Sequence, residues 1–275
     1  MHPIYKYFNT YIINLIMLKH EVILTSLREI MFMEFYSDDQ AKYHEEHKSI
    51  VNKGVFTVYG YFGLGILITA IVAMGLPYLI ASLYGTGAID IYYGIVIACF
   101  IGLIIFSLIS NFTAIFQHPA GMIICYILYA ACFGGVMSAI ALIVGLTTIT
   151  YAFGVTSAMF LLMSVIGYIS KGRLNRWAYY VIAVVFALTI AALFNILVFG
   201  NAWLYWVVSY LMILVFMLLI IVDTSRIMDG GSQGVLENNK TYAVYCAYRL
   251  YSDFMILLYY ILRIVIMVSG RGGRR

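Results

Sequence analysis

The sequence predicts an all-α fold, a polytopic membrane bundle of seven transmembrane helices around a central third helix. Hydrophobic residues make up 64% of its 275 residues and charged residues only 10%, which excludes an ordinary soluble domain. The apolar residues fall in runs of about 20 or more, the length that a helix needs to cross a bilayer. These runs lack the alternation of barrel strands, and helices and closed barrels are the structures that satisfy their backbone in lipid.

Seven apolar runs joined by short connections are the predicted spans. They place a seven-helix domain at residues 55–268, after an N-terminal segment at residues 1–54 and before a basic tail at residues 269–275. In chain order the spans are Phe56 to Ile80, Ile91 to Phe116, Gly121 to Gly145, Ile149 to Ile169, Tyr179 to Phe199, Trp203 to Val222 and Val244 to Val268.

The N-terminal segment contains no convincing span. Its apolar stretches are interrupted by Lys19, His20 and Glu21, and the small-residue cleavage site of a signal peptide is missing. Two interpretations stay open. The segment is either an interfacial helix or a leader upstream of a start at Met31 or Met33.

Small residues recur at every fourth position of the third span. Ala130, Gly134 and Ser138 form one stripe, and a second stripe follows one residue further along the helix. Such stripes let membrane helices approach closely, which is the reason for placing the third helix at the centre of the bundle.

Basic residues predict the orientation of the chain, because Lys and Arg concentrate in cytoplasmic loops. They precede the first span and fill the links between spans four and five and between spans six and seven, so the N terminus is expected in the cytoplasm. The basic tail then lies outside, unless the last charged segment is re-entrant. The residues used are Lys42, Lys48, Lys53, Lys171, Arg173, Arg176, Arg226 and Lys240.

Two carboxylates accompany the last two spans: Asp223 closes the sixth span and Asp253 lies inside the seventh. An Asp at mid-bilayer opposes insertion by roughly 2.5 to 3.5 kcal/mol, so such residues face an interior or a water-filled path. If the sixth helix continues to about Met228 and the seventh begins near Val244, the depths of the two acids differ by roughly 6 Å at 1.5 Å per residue, which helix tilt can close. Meeting in a low-dielectric interior, they would hold a shared proton and titrate together. Fully ionised, they would offer oxygen ligands to calcium.

A purely structural role for these acids is the alternative. Asp223 would then lie at the membrane surface and pair with Arg226, while Asp253 would pair with Arg249 on its own helix. This alternative suits Asp223 better than Asp253, because an ion pair deep inside a span still leaves desolvated groups.

The remaining reactive residues suggest no further chemistry. The cysteines lack CxxC spacing and are interpreted as small apolar side chains. No cofactor is expected, and the expected partners are the lipid bilayer and small ions, without nucleic acid. The four cysteines are Cys99, Cys125, Cys132 and Cys246.

Two motifs surround the acids. The sixth span ends in LLIIVDTSRI at residues 218–227, and the seventh carries YRLYSDFMILLYYILR at residues 248–263. Together they resemble the closing signature of the Bax inhibitor motif family. The segment Ala158 to Trp177 is similar to the fourth span of that family and its basic link, and the resemblance covers roughly Val55 to Val268.

The resemblance implies a seven-helix protein with a central third helix, similar to bacterial members that act as pH-sensitive calcium-leak channels in the inner membrane. Asp223 and Asp253 would then be the proton-sharing pair in the ion pathway, calcium and protons the ions handled, and Arg249 and Arg263 the supporting charges. In such channels an Arg of the second span holds the Asp of the sixth, but Ile91 to Phe116 contains no Arg. Arg249 is placed to supply that cation from another helix.

Three functional classes stay open. The first is a pH-gated cation leak, which performs no enzymatic step. The second is a non-catalytic membrane regulator or interaction protein, the role associated with eukaryotic members of the family. The third is an intramembrane aspartyl protease, in which two aspartates activate water. That class has a Gly-rich approach to its second Asp, whereas Tyr251 and Ser252 precede Asp253 here.

Overall fold

A computed structural model describes residues 51–84, 88–109, 119–170, 174 and 177–272. Within these ranges the chain forms seven long helices and no strand, which confirms the predicted all-α bundle. The interpretation of residues 1–50 lies outside the described residues. The long helices are α1 (Val51–Tyr84), α2 (Ala88–Ile109), α3 (Pro119–Val144), α4 (Leu146–Ser170), α5 (Ala178–Phe194), α6 (Ala202–Ser232) and α7 (Lys240–Gly272), with a π-helical turn at Asn195–Phe199 and a short helix at Val235–Asn238.

Helices α1, α2, α3, α4 and α6 are each long and apolar enough to cross a membrane, by length and composition. Helix α5 is apolar but shorter, and the π-helical turn extends it. Helix α7 has the length, with 33 residues, but charged residues within it reduce its hydropathy. It is continuous over about 50 Å at 1.5 Å per residue, which favours a seventh crossing over a re-entrant segment.

The end of α6 differs from the predicted sixth span. The helix continues past Val222 to Ser232, so Arg226 does not belong to a link between spans. It lies inside the helix and is buried. The error has a physical reason: Asp223 and Arg226 look like solvated loop residues in the sequence, although they lie close enough to offset each other's charge inside the bundle.

Local chemistry fixes the breaks between helices. Pro119 opens α3, where its missing N–H costs nothing. Gly145 separates α3 from α4 with φ of 89°, the left-handed conformation that glycine adopts most easily. The Asn195 side chain donates to the Asn201 carbonyl and accepts from the Asn201 N–H, both at 3.1 Å. Asn201 in turn accepts from the Trp203 N–H at 2.9 Å and so caps α6.

Helix α7 lies in the interior and packs against α1, α3, α4 and α6. Most of its residues between Tyr242 and Leu262 are buried. Helix α3 also has an interior position, between α1, α2 and α7, as its stripe of small residues predicts. The described residues show α7 to be enclosed still more completely than α3.

The stripe on α3 brings α1 close, as expected of it. A β-carbon placed on Gly134 would lie 2.8 Å from both the Thr69 carbonyl oxygen and the β-carbon of Val72. Only glycine permits that approach. Elsewhere the outer faces of the helices expose large apolar side chains, Phe56 and Tyr78 on α1 among them, which suits contact with lipid.

Candidate functional site

Helices α6 and α7 run antiparallel, which brings their charged residues to one level. Phe216 of α6 stacks with Tyr260 of α7 at 6.1 Å between ring centroids, and Asp223 lies opposite Arg249. Asp223 lies nine residues before the end of α6, and Arg249 lies nine residues after the start of α7. The equal spacing from the turn explains why these two side chains meet.

The centre of the site is a buried ion pair between Asp223 and Arg249. The Arg249 Nε donates to Asp223 Oδ2 at 3.0 Å, and Nη2 donates to Oδ1 at 2.8 Å. Such a two-pronged arrangement is the strong geometry for arginine and a carboxylate. Both residues are almost inaccessible, at 3% exposure for Asp223 and 2% for Arg249. The pair therefore ties α6 to α7 inside the protein.

A second arginine lies beside the pair. Arg226 Nη1 is 3.7 Å from Asp223 Oδ1, one turn along α6. A purely structural role for Asp223 predicted this contact with Arg226, at the membrane surface. The contact is longer than the one to Arg249, however, and Asp223 is buried. Arg249 is thus the main partner of Asp223.

Asp253 is the fourth member of a buried charged group that consists of Asp223, Arg226, Arg249 and Asp253. Its exposure is 0%, and it follows Arg249 by four residues, about 6 Å along α7 on the same face. The shared proton expected between Asp223 and Asp253 stays a prediction. In this structure both oxygens of Asp223 accept hydrogen bonds from Arg249.

A layer of aromatic and hydroxyl groups adjoins the charged group. Tyr129 of α3 meets Tyr248 of α7 at 4.9 Å between ring centroids. Tyr251, also on α7, shares a hydrogen bond of 2.5 Å with the Thr69 hydroxyl of α1. Thr69 was not among the predicted site residues, although a polar residue inside an apolar span is a signal that the sequence offers. This layer fixes α7 against α1 and α3.

Helix α4 closes the site from another side. A β-carbon on Gly167 would lie 2.6 Å from the β-carbon of Thr224 and 2.7 Å from the Ile221 carbonyl oxygen. Both contacts flank Asp223 in the sequence. Close packing of α4 on α6 therefore helps to exclude water from the ion pair.

Arg263 lies away from the acids. Its guanidinium carbon lies 3.3 Å from the ring centroid of Tyr205 on α6 and 6.0 Å from that of Tyr260. It follows Asp253 along α7 by about 15 Å, at 1.5 Å per residue. The expected supporting charge therefore acts on aromatic rings, as a second connection between α6 and α7.

The acids do not fit a resident calcium ion in this arrangement. Calcium takes 6 to 8 oxygen ligands, and Arg249 occupies both oxygens of Asp223. Among the described residues no group of three or more His, Cys, Asp or Glu side chains could hold a metal. A cation would have to meet these acids in passage, after the ion pair has separated.

The chain matches the family model described as inhibitor of apoptosis-promoting Bax1 over residues 51–270. It is 30% identical over 216 residues to the inner membrane protein YbhL of Escherichia coli strain K12, covering 75% of this chain and 88% of that relative. It is 29% identical over 218 residues to an uncharacterized protein of Borreliella burgdorferi, covering 78% of this chain and 91% of the relative. An uncharacterized membrane protein of Streptococcus pyogenes serotype M3 is 29% identical over 219 residues, with 78% and 92% covered.

The match covers the described helices except the last two residues of α7, and it includes both motifs that surround the acids. Together with the long apolar helices, it shows that this chain is a multi-pass membrane protein and belongs to the Bax inhibitor family.

Proposed function

We propose that this protein is a pH-sensitive cation leak of the bacterial inner membrane, with calcium as the transported ion and no enzymatic step. Asp223 and Asp253 are its proton sensors. The observation that carries the proposal is the buried ion pair between Arg249 and Asp223, with Asp253 one turn away on α7.

The buried charges of this site need a reason other than stability. A buried ion pair is weak evidence for stability, because apolar residues of similar size often serve a fold equally well or better. This bundle nevertheless buries Asp223, Arg226, Arg249 and Asp253 together. Charges retained inside a membrane protein are the usual mark of an ion or proton pathway.

The direction of the pH response follows from the pair. The attraction between Asp223 and Arg249 exists while Asp223 is ionised, and it is lost when falling pH protonates the carboxylate. Arg249 then still has Asp253 on the same face of its own helix, the ordinary spacing of a helical ion pair. If Arg249 moves from Asp223 to Asp253, the ion pair between α6 and α7 is lost and an ion pair within α7 forms in its place. The leak therefore rises as pH falls.

Orientation decides which compartment is sensed. The basic residues that precede α1 and those between the fourth and fifth spans support a cytoplasmic N terminus. Seven crossings then put the turn between α6 and α7 on the cytoplasmic side as well. Asp223 and Arg249 lie nearer to that turn than to the opposite ends of their helices. The pair therefore responds to cytoplasmic pH.

The test is calcium entry into liposomes that contain the purified protein and a calcium dye, measured between about pH 5 and 8. We expect wild-type flux to rise as pH falls. Asp253→Asn should shift that rise to lower pH, because Arg249 loses its second carboxylate. Asp90→Asn, on the exposed start of α2, is the matched control and should follow the wild type.

Other outcomes would select the other functional classes. If folded Asp223→Asn and Asp253→Asn both keep the wild-type pH profile, the acids do not gate ions and the regulator interpretation gains. If the protein cleaves membrane substrates and both variants lose that cleavage, the leak proposal is replaced by the protease.

A further inference from the structure

Helices α2 and α3 pack as an antiparallel pair with a repeated motif at their contact. Tyr92 and Ser138 share a hydrogen bond of 2.8 Å at one end of it. Further along, each helix carries a cysteine followed by a glycine three residues later: Cys99 and Gly102 on α2, Cys132 and Gly135 on α3. Because the helices are antiparallel, the cysteine of each helix faces the glycine of the other.

The distances show how closely the two helices approach there. A β-carbon on Gly135 would lie 2.7 Å from Cys99 Sγ, and one on Gly102 would lie 3.2 Å from Cys132 Sγ. The absence of both β-carbons leaves room for the sulfurs between the backbones. The sulfur of each cysteine thus lies against the other helix, within one turn of the cysteine there. Disulfides need β-carbons about 3.5 to 4.5 Å apart, and such an approach is what two facing glycines permit.

The four cysteines differ in exposure and in what they face. Cys246 is buried on α7, while Cys99, Cys125 and Cys132 are partly exposed. Of these three, Cys99 and Cys132 lie against a glycine of a neighbouring helix. Both lie near the middle of helices that are apolar enough to cross a membrane. An oxidant that reaches them must therefore dissolve in the hydrocarbon of the bilayer.

We propose that Cys99 and Cys132 form a dithiol site that an organic hydroperoxide, dissolved in the bilayer, oxidises to a disulfide linking α2 to α3. Each cysteine of the pair faces a glycine of the other helix, and this mutual arrangement distinguishes the pair from a cysteine that only fills space in the core. The site is independent of the charged group on α6 and α7.

The chemistry balances with the hydroperoxide as the two-electron oxidant. One thiol attacks the terminal peroxide oxygen, so that the O–O bond breaks, an alcohol leaves and a sulfenic acid forms. The second thiol attacks the sulfenic sulfur, the S–O bond breaks and water leaves. Two thiols and one hydroperoxide thus give one disulfide, one alcohol and one water. Reduction by an added dithiol reverses the result.

The experiment uses the full-length protein in liposomes treated with cumene hydroperoxide, with free thiols counted by the mass added by a maleimide. We expect the wild type to lose two of its four thiols and to regain both with dithiothreitol. The variants Cys99→Ser and Cys132→Ser should each fail to form an internal disulfide. Cys125→Ser, the matched control, should still form one, and peptide mass spectrometry should find Cys99 joined to Cys132.

Two results would overturn the proposal. One is a wild-type protein that keeps all four thiols under conditions that oxidise glutathione in the same vesicles. The other is a disulfide that involves Cys125 or Cys246, or that joins two copies of the chain. Neither result depends on calcium flux, so this site and the proposed leak succeed or fail separately.

Discussion

Arg249 is the residue whose partner decides how the site works. From the sequence, this arginine had two carboxylates within reach: Asp253 on its own helix and Asp223 on the preceding one. The structure places both prongs of the guanidinium on Asp223. The link between helices is therefore made by the residue that also lies one turn from Asp253.

Replacing Arg249 should destabilise the bundle strongly. Arg249→Leu leaves Asp223 buried with the more distant Arg226, and breaking a buried pair costs about 3 to 5 kcal/mol. The free energy of unfolding in detergent measures the loss. The double variant Asp223→Leu with Arg249→Leu should recover most of it, because both charges of the pair are then removed together. Wild-type stability of Arg249→Leu would mean that the pair does not hold α6 to α7.

The Tyr251 hydroxyl also connects α7 to α1, through its hydrogen bond to Thr69. Tyr251→Phe removes its hydrogen bond to Thr69 and should cost about 1 kcal/mol of unfolding free energy. The loss is modest because the Thr69 hydroxyl also lies 2.9 Å from the Gly65 carbonyl. Tyr93→Phe, on the exposed face of α2, is the control. Equal stability of the two variants would remove Tyr251 from the contacts that fix α7.

At the scale of elements, close approach between helices depends on particular glycines. Gly134 of α3 meets the backbone of α1 at Thr69, whereas Gly63 on the exposed face of α1 has nothing near its missing β-carbon. Gly134 is therefore required by the packing of α3 on α1, whereas Gly63 can be replaced by a residue with a side chain.

Alanine substitution separates them. Gly134→Ala forces α1 and α3 apart and should cost about 1 to 3 kcal/mol, the usual penalty of overpacking. Gly63→Ala should cost nothing and can gain up to about 1 kcal/mol from helix propensity. Thermal unfolding of the two variants in the same detergent makes the comparison. If both behave alike, the contact between α1 and α3 is looser than described.

Hydropathy and spacing predicted much at this scale, for a physical reason. Each span must bury about 20 apolar residues in lipid, so runs such as Gly121 to Gly145 mark helices directly. The end of α6 was predicted too early, because charges that balance each other inside the bundle look like a loop. Apart from the close approach indicated by the stripe on α3 and the pairing of Arg249 with Asp223, contacts between spans could not be predicted. Nothing in the hydropathy of Cys99 and Cys132 indicates that their helices face each other there.

For the whole molecule, α7 is the interior element and the charged group is built around it. It packs against α1, α3, α4 and α6, and it carries Arg249 and Asp253. Separation of Asp223 from Arg249 removes the polar link between α6 and α7 near their shared turn. The contact of Arg263 with Tyr205 remains at the other end. Opening is therefore expected near the turn between the two helices.

The most direct test of this account is calcium flux through Asp223→Asn in liposomes at about pH 8, where the wild-type carboxylate holds Arg249. The amide cannot carry the charge that ties α6 to α7. The variant should leak at that pH as fast as the wild type does in acid, and its flux should change little with pH, while Asp90→Asn follows the wild type. A folded Asp223→Asn protein that stays tight at this pH and opens in acid like the wild type would contradict the account.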